Sequence, residues 1–415
     1  MRLVSGGSGG GSPSRTHNLM MREVVVAGAV RTPIGKFGGA LSGLSAAQLG
    51  AIVAREALGR AGVDPAQVEE TIFGCARQAG GGPNVARQVS YRAGVPQETP
   101  AYTVNMACGS GLKAIDLAYR AVRDGEADVV LAGGTESMSR VPYLLSGARW
   151  GYRMGHQPAV DGMYQDGFLC PLAEKVMGET AERLAEIHGI TRAEQDAFAL
   201  ESQQKAGRAQ AEGRLEAETV AVRVPGKKGE EEFRRDEHLR SDATPEAMAK
   251  LPTVFRKDGT VTAGNSSGIT DGAAAVVVLA AEVAERLGVK PMARVLGFAQ
   301  AGVDPHIMGI GVVPAVRKLL DKLKRRIEEF DLLEINEAFA AQVLACDREL
   351  HFDRGRLNVN GGAIALGHPI GATGTRISVT LLHELARRRA KLGLASLCIS
   401  GGMGMAVAYQ AMSDR

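Results

Sequence analysis

The chain has 415 residues, 45% of them hydrophobic and 23% charged, with a formal net charge of +3 at pH 7. This balance fits globular domains that bury their own cores, and it is too weakly basic to argue for nucleic acid or an anionic membrane as a partner. The longest unbroken apolar run, Ala273 to Ala281, is about half of the roughly 18 residues that a membrane-spanning helix needs.

Residues 1–20, with SGGSGGGSPS at Ser5 to Ser14, read as a disordered Gly/Ser tail without the charged start and apolar core of a signal peptide. From Arg22 onward, strand-length apolar runs alternate with stretches of helical period, the pattern of α/β layers. Val24 to Val30 is a strand candidate. Ser45 to Ala61 carries Leu49, Ile52, Val53 and Leu58 at helical spacing and is closed by Gly62, a C-terminal stop signal. Tyr102 to Met106 reads as a second strand. Leu112, Ile115, Tyr119 and Val122 mark a helix ending near Gly125, and Asp128 to Ala132 a third strand halted by Gly133 and Gly134. From Val141 to about Thr262 strand runs become scarce. Thr191 and Glu194 form a capping box that opens a helix through about Ala211. That region is expected to be a helical and loop insertion. The alternation resumes with a buried strand at Ala273, then Asp331 to Ile335, Leu357 to Asn360 and Ala395 to Ile399. There is an internal echo: Cys108-Gly-Ser-Gly leads through a helix to DVVLAGG, and Gly371-Ala-Thr-Gly leads through a helix to ASLCISGG. Two similar halves would explain it.

Five cysteines (75, 108, 170, 346 and 398) are too scattered for a disulfide framework and fit reduced thiols in a cytoplasm. Cys108 follows a strand and precedes a glycine-flanked helix start. The helix dipole and free N–H groups there favour the nucleophilic thiolate, and backbone N–H groups can hold an oxyanion. The plain alternative is a small buried hydrophobe. His368 lies in a loop with four glycines (361, 362, 367 and 371) and is followed by Pro369, suited to present an imidazole as base or donor, or simply to face water. Cys398 ends an apolar strand at a glycine turn, either as a proton-transfer thiol or as core. Asn336 follows the strand DLLEI, where an amide can hold water or a carbonyl, or cap a helix. Gly264-Asn-Ser-Ser-Gly268 matches the G-x-S-x-G elbow of serine hydrolases but lacks the hydrophobic strand before it and the helix after it. No CxxC pair, HExxH or P-loop occurs, so the sequence indicates neither metal nor nucleotide triphosphate binding.

Together the blocks NMACGSG (105–111), AGNSSGITDGAA (263–274), NEAFAAQ (336–342), NGGAIALGHPIGATG (360–374) and CISGGMG (398–404) resemble the thiolase family. The resemblance runs from about Arg22 to the C-terminus. It implies a five-layered α/β/α/β/α core from two similar halves with an inserted helical/loop domain: 21–140 plus 263–291 as the N-terminal half, 141–262 as the insertion, and 292–415 as the C-terminal half. It implies acyl transfer to and from coenzyme A, as Claisen condensation of two acetyl-CoA to acetoacetyl-CoA or the reverse thiolysis, in ping-pong fashion. Cys108 would be acylated. His368 would take its proton and later polarise the second thioester with a water held by Asn336. Cys398 would move the α-proton. Backbone N–H groups of Cys108 and Ser400 would form the oxyanion hole; Ser400 stands where many members have glycine. Ser267, Lys227 with Lys228, and Met177 match contacts to coenzyme A, with Val176 where a related subgroup has a pocket histidine. Acetyl-CoA, acetoacetyl-CoA or longer 3-oxoacyl-CoA are the implied partners, coenzyme A serves as substrate or product with no separate cofactor, and a homotetramer (dimer of dimers) is the implied assembly.

Overall fold

The computed structural model describes residues 21–226 and 229–412. The Gly/Ser tail at 1–20, and Lys227 with Lys228, lie outside the described residues.

The first half runs β1 (Val24–Arg31), α1 (Ala46–Ala61), β2 (Glu70–Gly74), α2 (Val85–Arg92), β3 (Ala101–Val104), α3 (Ser110–Arg123) and β4 (Val129–Ser137). Helix α1 starts where the sequence marks it: the Ser45 hydroxyl accepts from Gln48 N–H while Gln48 reaches back to Ser45 N–H, and Gly62 closes the helix at φ 68°. Strand β4 runs straight through Gly133 and Gly134, which do not halt it. A Cβ at Gly133 would lie 2.5 Å from the Phe73 ring, and one at Gly134 would lie 3.0 Å from the Gly111 Cα. These glycines serve close packing rather than a turn.

The inserted segment contains helices α4 (Met177–Ile187) and α5 (Arg192–Ala211), the latter opened by the Thr191–Glu194 capping box, and three two-stranded ribbons. A buried ion cluster ties it to the core: Arg31 donates to Asp236 (2.7 Å) and bonds Glu218, which also accepts from Thr380 (3.1 Å).

Strand β5 (Thr270–Ala280) completes the first sheet in the order β3-β2-β4-β5-β1. The second half follows as β6 (Ala293–Gly302), α6 (Val312–Leu323), β7 (Leu332–Ile335), α7 (Ala340–Leu350), α8 (Ile370–Arg388), β8 (Leu392–Ile399) and β9 (Met403–Ala411), with strand order β7-β8-β9-β6. Directions repeat as well: β2 is parallel to β3 and β4, β7 is parallel to β8, and the remaining pairs are antiparallel. The expected strand at Leu357 to Asn360 is reduced to a single parallel bridge, Leu357 to Leu333. Asn358 leaves the extended region at φ 43°, and its side-chain amide accepts from Ile335 N–H and donates to the Ile335 carbonyl, each at 2.9 Å. A side chain thus replaces the ladder at the position equivalent to β3. The sheets join edge to edge where Val25 and Val26 pair with Arg294 and Ala293.

Helices α3 and α8 pack on each other between the sheets, while α1 with α2 and α6 with α7 cover the outer faces, giving five layers. Among the described residues no helix is long and apolar enough to cross a membrane.

Candidate active site

Both inner helices begin at one cavity. The chain reaches α3 through a turn in which Ala107 takes a left-handed φ of 45°, at a cost of about 1–2 kcal/mol. Asn105 Oδ1 accepts from Ala107 N–H (3.0 Å), and Ser110 Oγ accepts from Met106 N–H (2.8 Å) while donating to the Ala107 carbonyl (2.6 Å). The turn presents Cys108 just ahead of the helix. Gly111 is required by the neighbouring helix, since a Cβ there would lie 2.7 Å from Thr375 Oγ1 and 2.9 Å from the Gly371 carbonyl oxygen. Gly374 does the reciprocal job: its Cβ would collide with the Leu112 amide nitrogen and lie 2.6 Å from the Leu112 Cβ.

Electrostatics at Cys108 differ from the sequence expectation. Burial pushes the thiol pKa up, outweighing the Arg77 charge and the backbone N–H groups of Ser400 and Cys108 itself, which pull it down. The resting group is a thiol that needs a base. Those same two N–H groups lie close to the sulfur, within reach of an oxyanion on a carbonyl attached to it. Ser400 is absent from the residues with positive φ, whereas Gly401 and Gly402 take 87° and 84°. A side chain at 400 therefore costs no backbone strain.

His368 enters from the second half, just before the Pro369-led start of α8, and its backbone N–H donates to the Gly268 carbonyl (3.1 Å). The buried ring meets Thr373 Oγ1 through Nδ1 at 2.6 Å, and that hydroxyl donates to the Pro369 carbonyl at 3.0 Å. With its hydrogen so placed, Thr373 accepts from Nδ1–H, leaving Nε2 as a buried lone pair without a partner. Burial first, then the charges of Arg376 and Arg77, push the imidazole down to about 3, so it is neutral at physiological pH. Cys398 is the penultimate residue of β8, fully buried, and its thiol is raised well above the usual value by burial and by the nearby Cys108 and Cys346 sulfurs.

Cys108, His368, Cys398 and Ser400 all line one cavity of about 1120 Å³, as do Ser267 and Met177, with Val176 beside it. Asn336 does not line it. It sits just behind, after β7, with its N–H on the Ser396 carbonyl (2.9 Å) and both side-chain polar atoms buried and unpartnered. Such a pair suits a bound water. The loop with Ser267 is stitched to the block after Asn336: Ser267 N–H donates to the Ala338 carbonyl (3.0 Å), and Ala340 N–H to the Asn265 carbonyl (2.9 Å). Ser266, the serine of the G-x-S-x-G match, donates to the Thr262 carbonyl (2.7 Å) and is followed by strand rather than helix. The coenzyme A contact expected of Lys227 falls outside the described residues.

Residues 24–282 match the family model for the thiolase N-terminal domain, and residues 289–411 the one for the thiolase C-terminal domain. The chain belongs to the thiolase family. The acetyl-CoA acetyltransferase of Pseudomonas aeruginosa is 54% identical over 388 residues, spanning 93% of this chain and 99% of its own length. That of Syntrophomonas wolfei is 52% identical over 397 residues, spanning 95% of this chain and all of its own. Among solved structures, the Bacillus anthracis acetyl-CoA acetyltransferase superposes with a TM-score of 0.93 at 46% identity, and human mitochondrial 3-ketoacyl-CoA thiolase with 0.93 at 43%, each covering 95% of this chain and 100% of its own.

The thiolase site also contains residues that the sequence reading passes over. Phe339, Met308 and Phe168 furnish apolar wall, and His238, Arg240 and Arg77 furnish polar wall. Thr373 carried a usable signal, since a hydroxyl five residues after a loop histidine falls on the first turn of the following helix. Glu337 is buried and accepts from Ser202 (2.7 Å), Asn358 (2.8 Å) and Ile364 N–H (3.2 Å), joining α5 to the loops that hold Asn336 and His368.

Proposed function

We propose that the chain condenses two acetyl-CoA to acetoacetyl-CoA and catalyses the reverse thiolysis through an acyl group carried on Cys108. The observation that carries this reading is that two thiols and one neutral imidazole, drawn from both halves, share a single cavity wall. Full-length similarity to acetyl-CoA acetyltransferases supports the substrate.

In the first half-reaction the Cys108 sulfur attacks the thioester carbon while His368 Nε2 takes the thiol proton. The new oxyanion is met by the Cys108 and Ser400 N–H groups. Collapse expels coenzyme A, which receives the proton back from the ring. In the second, the buried Cys398 thiol first gives up its proton to solvent. As a strongly basic thiolate it removes the α-proton of the next acetyl-CoA, and the enolate carbon attacks the acyl carbonyl. Cys108 is expelled as a thiolate that takes a proton from solvent, so that both cysteines end as thiols. An enolate needs a donor where the first step needed an acceptor. Thr373 permits both: turning its hydroxyl hydrogen from Pro369 toward Nδ1 leaves the proton on Nε2. A water on Asn336 would assist.

Ser267 and Met177 on the wall are the contacts offered to the pantetheine arm. Longer 3-oxoacyl-CoA is the second reading, favoured by the size of the cavity and by the similarity to the human 3-ketoacyl-CoA thiolase. A homotetramer, as a dimer of dimers, is supported by apolar side chains left in solvent on the inserted segment, among them Trp150 (87% exposed) and Met154 (93%), and by the open edge strand β3. The five free cysteines suit a cytoplasm. Incubation with radiolabelled acetyl-CoA followed by peptide mapping tests the reading: label belongs on Cys108, and label on Cys75, Cys170 or Cys346 instead refutes it. Cys398→Ala should still take up label yet lose condensation by several orders of magnitude.

A further inference from the structure

Arg77, like Arg240, is a cation of this cavity wall that the mechanism leaves unused, and Arg77 is the one whose charge acts on Cys108. It lies in the loop after β2, whose backbone is clamped by buried Glu136: that carboxylate accepts from Ala76 N–H (3.1 Å), Arg77 N–H (3.0 Å) and Gly371 N–H (2.8 Å). The Cys75 thiol also faces it at 3.7 Å. Glu136 is thus occupied by other donors and offsets the Arg77 charge only through space. The Arg77 Nε is buried with no hydrogen-bond partner, and among the described residues the guanidinium forms no ion pair within 4.0 Å.

Its position is specific. The guanidinium lies against Gly167, where a Cβ would come within 2.8 Å of Nε and 3.0 Å of one terminal nitrogen. Phe168, next along, packs with Cys108 against the apolar cluster that contains Ala76, Met163 and Ile370. Met248 and Leu251 belong to a different stretch of wall, packed on Gly264 in the loop that bears Ser267. A group attached to Cys108 therefore meets Phe168 and Ile370 through its methylenes and, at their margin, a planar, half-buried cation whose Nε is shielded from water.

We propose that Arg77 forms an anion subsite for the acyl group, so that the enzyme accepts 3-oxoacyl-CoA esters whose acyl chain ends in a carboxylate. This deepens the acyl-transfer reading and rests on it. A guanidinium binds a carboxylate through two parallel hydrogen bonds, and such bonds are stronger where water is excluded. The apolar margin of Phe168 and Ile370 calls for methylenes between the reacting carbonyl and the charge.

The experiment compares thiolysis of 3-oxoadipyl-CoA, a six-carbon ester with a terminal carboxylate, with that of 3-oxohexanoyl-CoA, its neutral counterpart of equal length. The wild-type enzyme should favour the acid by about ten-fold or more in kcat/KM, the range expected of a charged hydrogen-bonded pair. Arg77→Met should abolish the ratio, and Arg77→Lys should keep part of it. Absence of preference in the wild type overturns the proposal without needing any variant to fold. Equal loss on both esters in Arg77→Met also overturns it, because the arginine then serves Cys108 or the coenzyme A phosphates instead. Acetoacetyl-CoA is run alongside: turnover of it with no preference sinks only the subsite, whereas inactivity on every 3-oxoacyl-CoA sinks the acyl-transfer reading itself.

Discussion

Replacing Thr373 by valine isolates the contact that sets which nitrogen of His368 carries the proton. Valine keeps the shape and removes the hydroxyl that lies 2.6 Å from Nδ1. Pro369 does not suffer, because its carbonyl still accepts from the Ala372 and Thr373 N–H groups at 2.8 and 3.0 Å. What remains is a buried ring nitrogen with no partner, worth about 1–3 kcal/mol. Any tautomer that lessens this penalty withdraws the Nε2 lone pair from Cys108. If that energy falls on the transition state, kcat/KM for acylation drops about 5- to 150-fold. Initial rates of acetoacetyl-CoA thiolysis, with thermal unfolding as control, measure it. Thr373→Ser, which retains the hydroxyl, should recover most of the rate. Full activity in the valine variant, or a serine variant equally impaired, would refute the tautomer argument.

Alkylation of Cys108 by iodoacetamide, followed by mass spectrometry of its peptide, should accelerate with pH and show no plateau below the ordinary thiol value of 9.0, because burial raises this thiol and leaves less thiolate at each pH. A plateau near neutrality would show that the dipole and Arg77 outweigh burial. Gly374→Ala should destabilise the fold by about 3 kcal/mol, since the added methyl meets backbone of α3 rather than a movable side chain. An unchanged denaturation midpoint would contradict the close helix contact.

Legibility in the sequence followed how local each feature is. The Ser45 and Thr191 helix starts lie within four residues and could be read directly. The repeat of strand, glycine turn and helix pointed to the two halves, and the equal strand order bears that out. Gly133 and Gly134 misled because a turn glycine and a packing glycine look alike until the Phe73 ring and the Gly371 backbone are in place. Leu357 to Asn360 misled because Asn358 supplies ladder hydrogen bonds from its side chain. At the site, the short blocks singled out Cys108, His368 and Cys398, which the fold brings to one cavity wall. The sign of the Cys108 shift was hidden, since a helix start is a local fact and burial is not. Arg77 was invisible for the same reason: nothing in Cys75-Ala-Arg-Gln foretells that residues 164–168 will fold over it.

The contact between α3 and α8 has a bearing on timing. The sulfur proposed to carry the acyl group rides on one half of the molecule, and the imidazole with the second thiol rides on the other. Any rocking of the halves would stretch the gap across which protons and carbon must pass. Gly111 and Gly374 let the two helices touch backbone to backbone, with no compliant side chain between them. Such a junction resists rocking of the halves and so keeps the sulfur, the imidazole and the second thiol at a set spacing.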